Sequence, residues 1–333
     1  MTVVVYHFRN QVMFGTVPGV EMVWFENLSL AVDLFFVISG IVITFAYQQL
    51  HDVRGFLQKR FARLAPLHYA TLCFYLVAGY LAMRSGVAWS EGWKYRPDCL
   101  LGNVAFLQAF GTCDRYAFNH VSWSVSAEMA MYLLFPLLLP LQRRSPAIPL
   151  ILAAIWIVGA SVAHQLLPQF RVWHAMTHDF GVVRAVPGFL IGMGLWGYRD
   201  QLARIPRPGM VMIAIVALLL IGLSIGVARG ALLPLVYALP AAALAADRGQ
   251  RASPLVARIA PYGALTYGIY MLHPLIRSVG MPVLGAIGLS DTAAIAICFL
   301  AVLPVAYLVY FLFEQPMRRL LSPRRKVKTV AAA

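Results

Sequence analysis

Long apolar runs, separated by short charged or Pro/Gly-rich breaks, fall at 1–14, 28–50, 64–83, 121–141, 147–167, 181–197, 210–228, 230–246, 262–280 and 292–313. Most approach the roughly 20 residues that a helix needs to cross a hydrocarbon core about 30 Å thick. The pattern predicts an all-α polytopic membrane protein with about ten transmembrane helices. The first is shortened: Met1 to Phe14 covers only about 21 Å at ~1.5 Å per residue.

Composition strengthens this reading. Of 333 residues, 61% are hydrophobic and 12% charged, against roughly a quarter charged in an ordinary soluble domain. No hydrophilic stretch is long enough for a second domain, so residues 1–320 read as one membrane domain and 321–333 as a basic cytoplasmic tail. The formal charge of +14 is spread over short loops and makes no single basic face, which argues against nucleic acid. With a cytoplasmic N-terminus, the loops at 51–63, 142–146, 198–209 and 247–261 and the tail with Arg324-Arg325-Lys326 collect most of the 27 Lys and Arg residues. The positive-inside rule favours that orientation, and an even span count returns the C-terminus to the cytoplasm. No removable signal peptide is evident, so the spans themselves direct insertion.

The longest expected outer segment, about 84–120, holds Cys99 and Cys113. A disulfide facing an oxidising compartment and two free thiols both fit this pair. Cys73 and Cys298 lie within spans and read as apolar filler.

Ionisable residues inside a bilayer cost a few kcal/mol and ask for a reason. His7 is the one side chain of the first span that exchanges protons near neutral pH, which suits a general base, a nucleophile or a hydrogen-bonded interhelical histidine. Asp33 lies about a turn inside its span, placed to accept at a helix start or to pair with a buried cation. Glu128 lies about two turns inside and needs a partner. Arg60 and Arg63 share a helical face at the cytoplasmic side, either gripping phosphate or anchoring the helix. His273, with Arg277 one turn on, sits where interfacial belt residues gather. No Gly-rich phosphate loop, zinc-ligand spacing or Gly-x-Ser-x-Gly elbow is present, which argues against a soluble-type nucleotide or zinc mechanism, and no metal site is expected.

Several segments, in order, resemble the acyltransferase-3 family of bacterial membrane proteins, which acylate sugars and other envelope or secreted acceptors. Val5-Tyr6-His7-Phe8 resembles the end of its first-helix Arg…His motif. The run Ala31-Val32-Asp33-Leu34-Phe35-Phe36-Val37-Ile38-Ser39-Gly40 resembles its Val-Asp-Leu-Phe-Phe-Val-Leu-Ser-Gly signature. Lys59-Arg60-Phe61-Ala62-Arg63-Leu64-Ala65-Pro66 is similar to its Arg-x-x-Arg-x-x-Pro element, and Ser122-Trp123-Ser124-Val125-Ser126-Ala127-Glu128 to its Trp-Ser-Leu-Ser-Val-Glu element. Leu265 to His273 resembles a Ser-Tyr-x-x-Tyr-Leu-x-His run, and Phe313-Glu314-Gln315-Pro316 a closing Glu-x-Pro. The family's first-helix arginine, roughly three helical turns before the histidine, would fall upstream of Met1, so the expectation is a start placed too far downstream or an impaired enzyme.

The resemblance implies an acyl-CoA co-substrate, usually acetyl-CoA, with no permanently bound cofactor, and a carbohydrate or lipid-linked sugar acceptor. It places the protein in the bacterial inner membrane, among membrane lipids and separate envelope-biosynthesis enzymes. It assigns acyl-CoA phosphates to Arg60 and Arg63 and catalysis to His7, its ring held by Glu128 or Asp33, with Trp123, Ser124, Tyr270 and His273 as supporting or acceptor-side residues. An acyl-histidine relay competes with direct transfer. A transporter or flippase for an envelope precursor is the rival reading, since buried charges mark substrate paths there too. A membrane-embedded assembly component without catalysis is a third.

Overall fold

A computed structural model describes residues 1–12, 27–86, 92–247 and 254–323, with 9–12 and 254–256 described by backbone alone. The expected cytoplasmic charges Arg248 and Arg251 and the tail cluster Arg324-Arg325-Lys326 lie outside the described residues.

Each apolar run coincides with a helix: α1 (Thr2–Val12), α2 (Leu30–Ala46), α3 (Val53–Ser85), α4 (Trp123–Arg144), α5 (Ala147–Leu166), α6 (Gly181–Gly197), α7 (Pro208–Ser224), α8 (Arg229–Asp247), α9 (Thr266–Ala286) and α10 (Asp291–Val309). Among the described residues there is no strand. Length and composition alone qualify five helical stretches to cross a membrane: Val53–Ser85, His120–Arg144, Ala147–Leu166, Arg229–Asp247 and Asp291–Leu321. Three more, α2, α6 and α7, are apolar but shorter. The expected count of about ten crossings therefore exceeds what individual helices establish. The shortfall has a physical source, because α1 has 11 residues and α9 is interrupted by His273, Pro274 and Arg277.

The third helix starts eleven residues before its expected apolar boundary, so Arg60 and Arg63 lie on the helix itself. Asp52 caps it by accepting from the Gly55 amide at 2.8 Å, satisfying a donor left open at a helix start. Gly86, at φ 68°, ends it in the left-handed conformation that glycine adopts without a Cβ penalty. At about 50 Å, α3 outlasts a hydrocarbon core and projects its basic first turns beyond it.

The centre of the bundle is the α2–α6 pair. A Cβ on Gly40 would lie 2.2 Å from the Phe189 carbonyl oxygen, and one on Gly192 2.1 Å from that of Val37. Small residues are what let two apolar helices approach so closely where the surrounding lipid gives no hydrophobic drive. Asp33 faces Arg184, Gly40 faces Gly192, and Phe45 stacks near Trp196 at 5.0 Å, so the two helices run in the same direction. Around them Phe36, Phe56, Phe135, Phe189, Met193 and Met271 fill the core. Leu137, Leu166, Ile213, Leu300 and Leu312 are exposed on the perimeter, an apolar surface suited to lipid. Helix α1 packs Val4 and Phe8 against Ile295, Cys298 and Val302 of α10.

Candidate active site

At one end of the bundle, Arg60 donates to the Tyr47 hydroxyl at 3.1 Å and lies over the rings of Tyr47 (5.2 Å) and Tyr132 (5.7 Å). Its Nε is buried with no partner. Arg63, three residues on, is spent differently. It pairs with Glu314 at 3.0 Å, donates to the Ala264 carbonyl at 3.3 Å and covers the Tyr267 ring. Glu314 closes a single π-helical segment, Tyr310–Glu314, next to Pro316. Such bulges re-aim a side chain where the regular ladder is broken.

One face of α4 and its leading turn carries His120, Ser124, Glu128 and Tyr132 at four-residue spacing, which stacks them one above another. Tyr132, under Arg60, donates to Glu128 Oε1, and Ser39 donates to the same oxygen at 3.1 Å. Ser124 donates to the Tyr270 hydroxyl at 2.7 Å, and Tyr270 in turn to the Val121 carbonyl at 2.9 Å. The line from Arg60 to His120 spans about 18 Å along α4, at ~1.5 Å per residue. Beside it lies a mainly apolar cavity of about 330 Å³ whose lining includes Ser124, Glu128, Tyr267 and Tyr270.

At the opposite end, three helices bring three histidine rings together. The Nδ1 of His7 lies 3.2 Å from the Nε2 of His120, and the His7 ring centroid lies 4.7 Å from that of His120 and 5.1 Å from that of His273. Arg277 donates to the His7 carbonyl at 3.3 Å. His273 is fully buried and bonds the Ile269 carbonyl through Nδ1, so it is a core residue and not one of an interfacial belt. A second, more polar cavity of about 240 Å³ is lined here by His7, His120, Trp123 and Tyr270. The two cavities share Val3, Val32 and Tyr270 as walls.

The carboxylates differ from the sequence-based expectation that one of them holds the His7 ring. Glu128 accepts from Ser39 and Tyr132, and Asp33 is consumed by arginines. Arg184 binds Asp33 with both prongs, at 2.8 and 2.7 Å, and Arg229 shares Oδ2 at 2.9 Å. The reason is charge: a carboxylate in α2 facing a guanidinium in α6 gains more from that bidentate pair than from a neutral imidazole. His120 stands where a carboxylate was expected. Arg184 also lies over the Trp123 ring, 5.1 Å from its centroid, and Trp123 is itself pinned against Gly181.

At this same end Cys99 and Cys113 are joined by a disulfide, Cα–Cα 5.7 Å. Arg96 ties Asp98 to Asp114 across it, at 2.5 and 3.0 Å, and these bonds hold both carboxyls below their ordinary range. His174, in the turn Trp173–Ala175, is lowered to about 4, first by burial and then by the nearby charge of Arg229.

Sequence reasoning missed His120, Tyr132, Arg184, Arg229 and Glu314 as site-forming residues. Arg184 carried the clearest signal, a cation in the middle of an apolar run. His120 and Tyr132 were legible as four-residue repeats of Ser124 and Glu128 on one helix face. Arg229, at the very start of α8, is indistinguishable by sequence from an ordinary loop charge.

With this geometry in view, known proteins supply the context. The chain is similar to the acyltransferase MdmB of Streptomyces mycarofaciens, with 25% identity over 90% of this chain and 84% of that protein. It is 26% identical to BcsY of Komagataeibacter xylinus, provisionally described as a membrane-bound transacylase, over 75% of this chain and 66% of that one. No solved structure matches. Residues 1–311, and thus nearly every side chain just described, match the family described as an acyltransferase domain, so the chain belongs to the acyltransferase-3 family and is a membrane acyl-transferring enzyme.

Proposed function

We propose that the protein moves an acyl group, acetyl in the simplest case, from acyl-CoA to a hydroxyl of a glycan or lipid-linked sugar of the cell envelope, in a bacterial cytoplasmic membrane with both termini cytoplasmic. One observation carries this reading: the side chains of the family-like motifs lie on one path, from Arg60 through Tyr132, Glu128 and Ser124 to the His7–His120 pair, flanked by two adjoining cavities. The disulfide-bearing histidine end suits an oxidising compartment, and the arginine end a cytoplasmic one.

In this reading Arg60 grips coenzyme A phosphate, since its stacked guanidinium keeps more donors than the salt-bridged Arg63, which shapes the same end through Glu314. The thioester arm extends along the apolar cavity toward His7. A neutral hydroxyl is a poor nucleophile until a base takes its proton. For His7 to be that base, its Nδ1–H donates to His120 Nε2, which puts the lone pair on His7 Nε2. His120 then performs the orienting task that a carboxylate performs in a hydrolase triad. The acceptor oxygen attacks the thioester carbonyl as its proton passes to His7. The C–S bond breaks, and the imidazolium returns that proton to the leaving thiolate.

The test is transfer of labelled acetyl from acetyl-CoA to candidate glycans by purified protein in lipid nanodiscs. His7→Ala is expected to reduce transfer by about 10²–10⁴-fold, the range for a general base, with the protein still inserted and folded. Transfer at the wild-type rate would remove His7 from the chemistry. Intact mass after acetyl-CoA alone separates direct transfer from an acyl-His7 relay.

A further inference from the structure

The cavity beside His7 is unbalanced in charge. Arg171, Arg184 and Arg229 line it, and no carboxylate does among the described residues. Behind the wall, Asp33 has both oxygens occupied by the bidentate Arg184, and Arg229 shares one of them through a single bond. Asp179 lies 3.5 Å from Arg171, which is half-exposed at the rim. Two carboxylates thus answer three guanidiniums, and the surplus belongs to Arg229.

Arg229 has further capacity. Its Nε is buried and has no hydrogen-bond partner, and the same is true of Nδ1 of His174, packed against the start of α8, and of the Tyr237 hydroxyl, two turns along the Arg229 face. Arg229 also opens α8, whose free amides and dipole favour negative charge. A surplus guanidinium with an open donor in a weakly screened, partly dry cavity calls for an anion.

We propose that this cavity is an anion-selecting acceptor site, in which Arg229, with Arg171 at the rim, holds a carboxylate or phosphate carried by the acceptor next to the hydroxyl that is acylated. The proposal rests on the acyltransferase reading of the His7 cavity and names the acceptor class: acidic sugars or sugar phosphates over neutral ones.

The experiment uses the full chain in nanodiscs of phosphatidylcholine, with glucose, glucuronate and glucose 1-phosphate as probes at constant ionic strength. Binding is read by calorimetry and acetyl transfer is read in parallel. Wild-type protein is expected to bind at least one anionic probe about tenfold or more tightly than glucose, the effect of one charged hydrogen bond, and the stronger of the two anions tells carboxylate from phosphate. Arg229→Gln is expected to erase that preference and Arg229→Lys to keep part of it. Equal binding of glucose and both anions, no anion binding, or a preference that survives Arg229→Gln overturns the proposal. If Arg229→Gln does not fold, the wild-type selectivity and Arg229→Lys decide. Anion preference without acetyl transfer to any acceptor would sink the acyltransferase reading and leave an anion site; transfer without anion preference would do the reverse.

Discussion

Arg60 and Arg184 are both buried against aromatic rings in an apolar bundle, yet the two ends of the molecule use them in opposite ways. Arg184 is almost fully buried, and its fork is closed by Asp33 and the Ser29 carbonyl. Arg60 gives one donor to Tyr47, rests on two rings and retains an unpartnered Nε. The first arrangement locks α2 to α6; the second leaves a guanidinium held in place but only lightly occupied. The identity of the residue does not distinguish structural from ligand-facing arginine in this membrane domain. The fraction of its donors already satisfied does.

The sharpest way to break this comparison is to unpair the locked end. Arg184→Leu leaves Asp33 with only its shared bond to Arg229, and Asp33→Ala leaves Arg184 uncompensated. Either is expected to destabilise the fold by roughly 3–5 kcal/mol, the cost of removing one partner of a buried pair. The double variant should recover much of that loss. Thermal unfolding in detergent checks both, and single variants as stable as the wild type would show that the pair is not the lock described.

A smaller effect, on rate and not on stability, is expected at the histidine pair. His120→Ala should lower kcat by about 10²-fold, within the range of a mispositioned base, while His120→Asn, which can still accept from Nδ1–H of His7, retains more. Equal rates for both variants would show that the hydrogen bond does not orient the base.

At the open end, Arg60→Ala is expected to raise the KM for acyl-CoA about tenfold through loss of a charged hydrogen bond, with little change in unfolding temperature. Arg63→Ala should do more to stability, because it strands Glu314 in a buried position. If the two variants exchange these phenotypes, the assignment of the two arginines is reversed.

The smallest effect concerns His174. Its folded value, about 4, lies below the ordinary 6.5, so the unfolded chain binds more protons between those values. Stability therefore falls as pH drops through that window. His174→Gln should flatten this part of the stability curve, modestly, because the ring is only half-buried and solvent screens it. An unchanged slope would show that His174 is not the group responsible.

Much of the fold was written in the chain. Ten apolar runs gave ten helices, because an apolar segment in lipid has to satisfy its own backbone and a helix does so locally. The motif residues His7, Asp33, Arg60, Arg63 and Glu128 were likewise visible as polar groups in places where polarity is costly. Helix ends were less legible: the basic first turns of α3 are good helix formers, and nothing in hydropathy separates them from a loop.

What the sequence by itself determined was which residues are expensive to bury; only the tertiary structure decided how that expense is met. Asp33 went to Arg184 and Arg229, 151 and 196 residues away, and His7 to His120, 113 residues away. Hydrophobic periodicity is a local property and survives in any packing, but a buried charge takes whichever partner the crossing of distant helices brings within hydrogen-bond reach. For that reason the shortened α1, with the proposed base on it, gains its chemical meaning only from the helices that surround it.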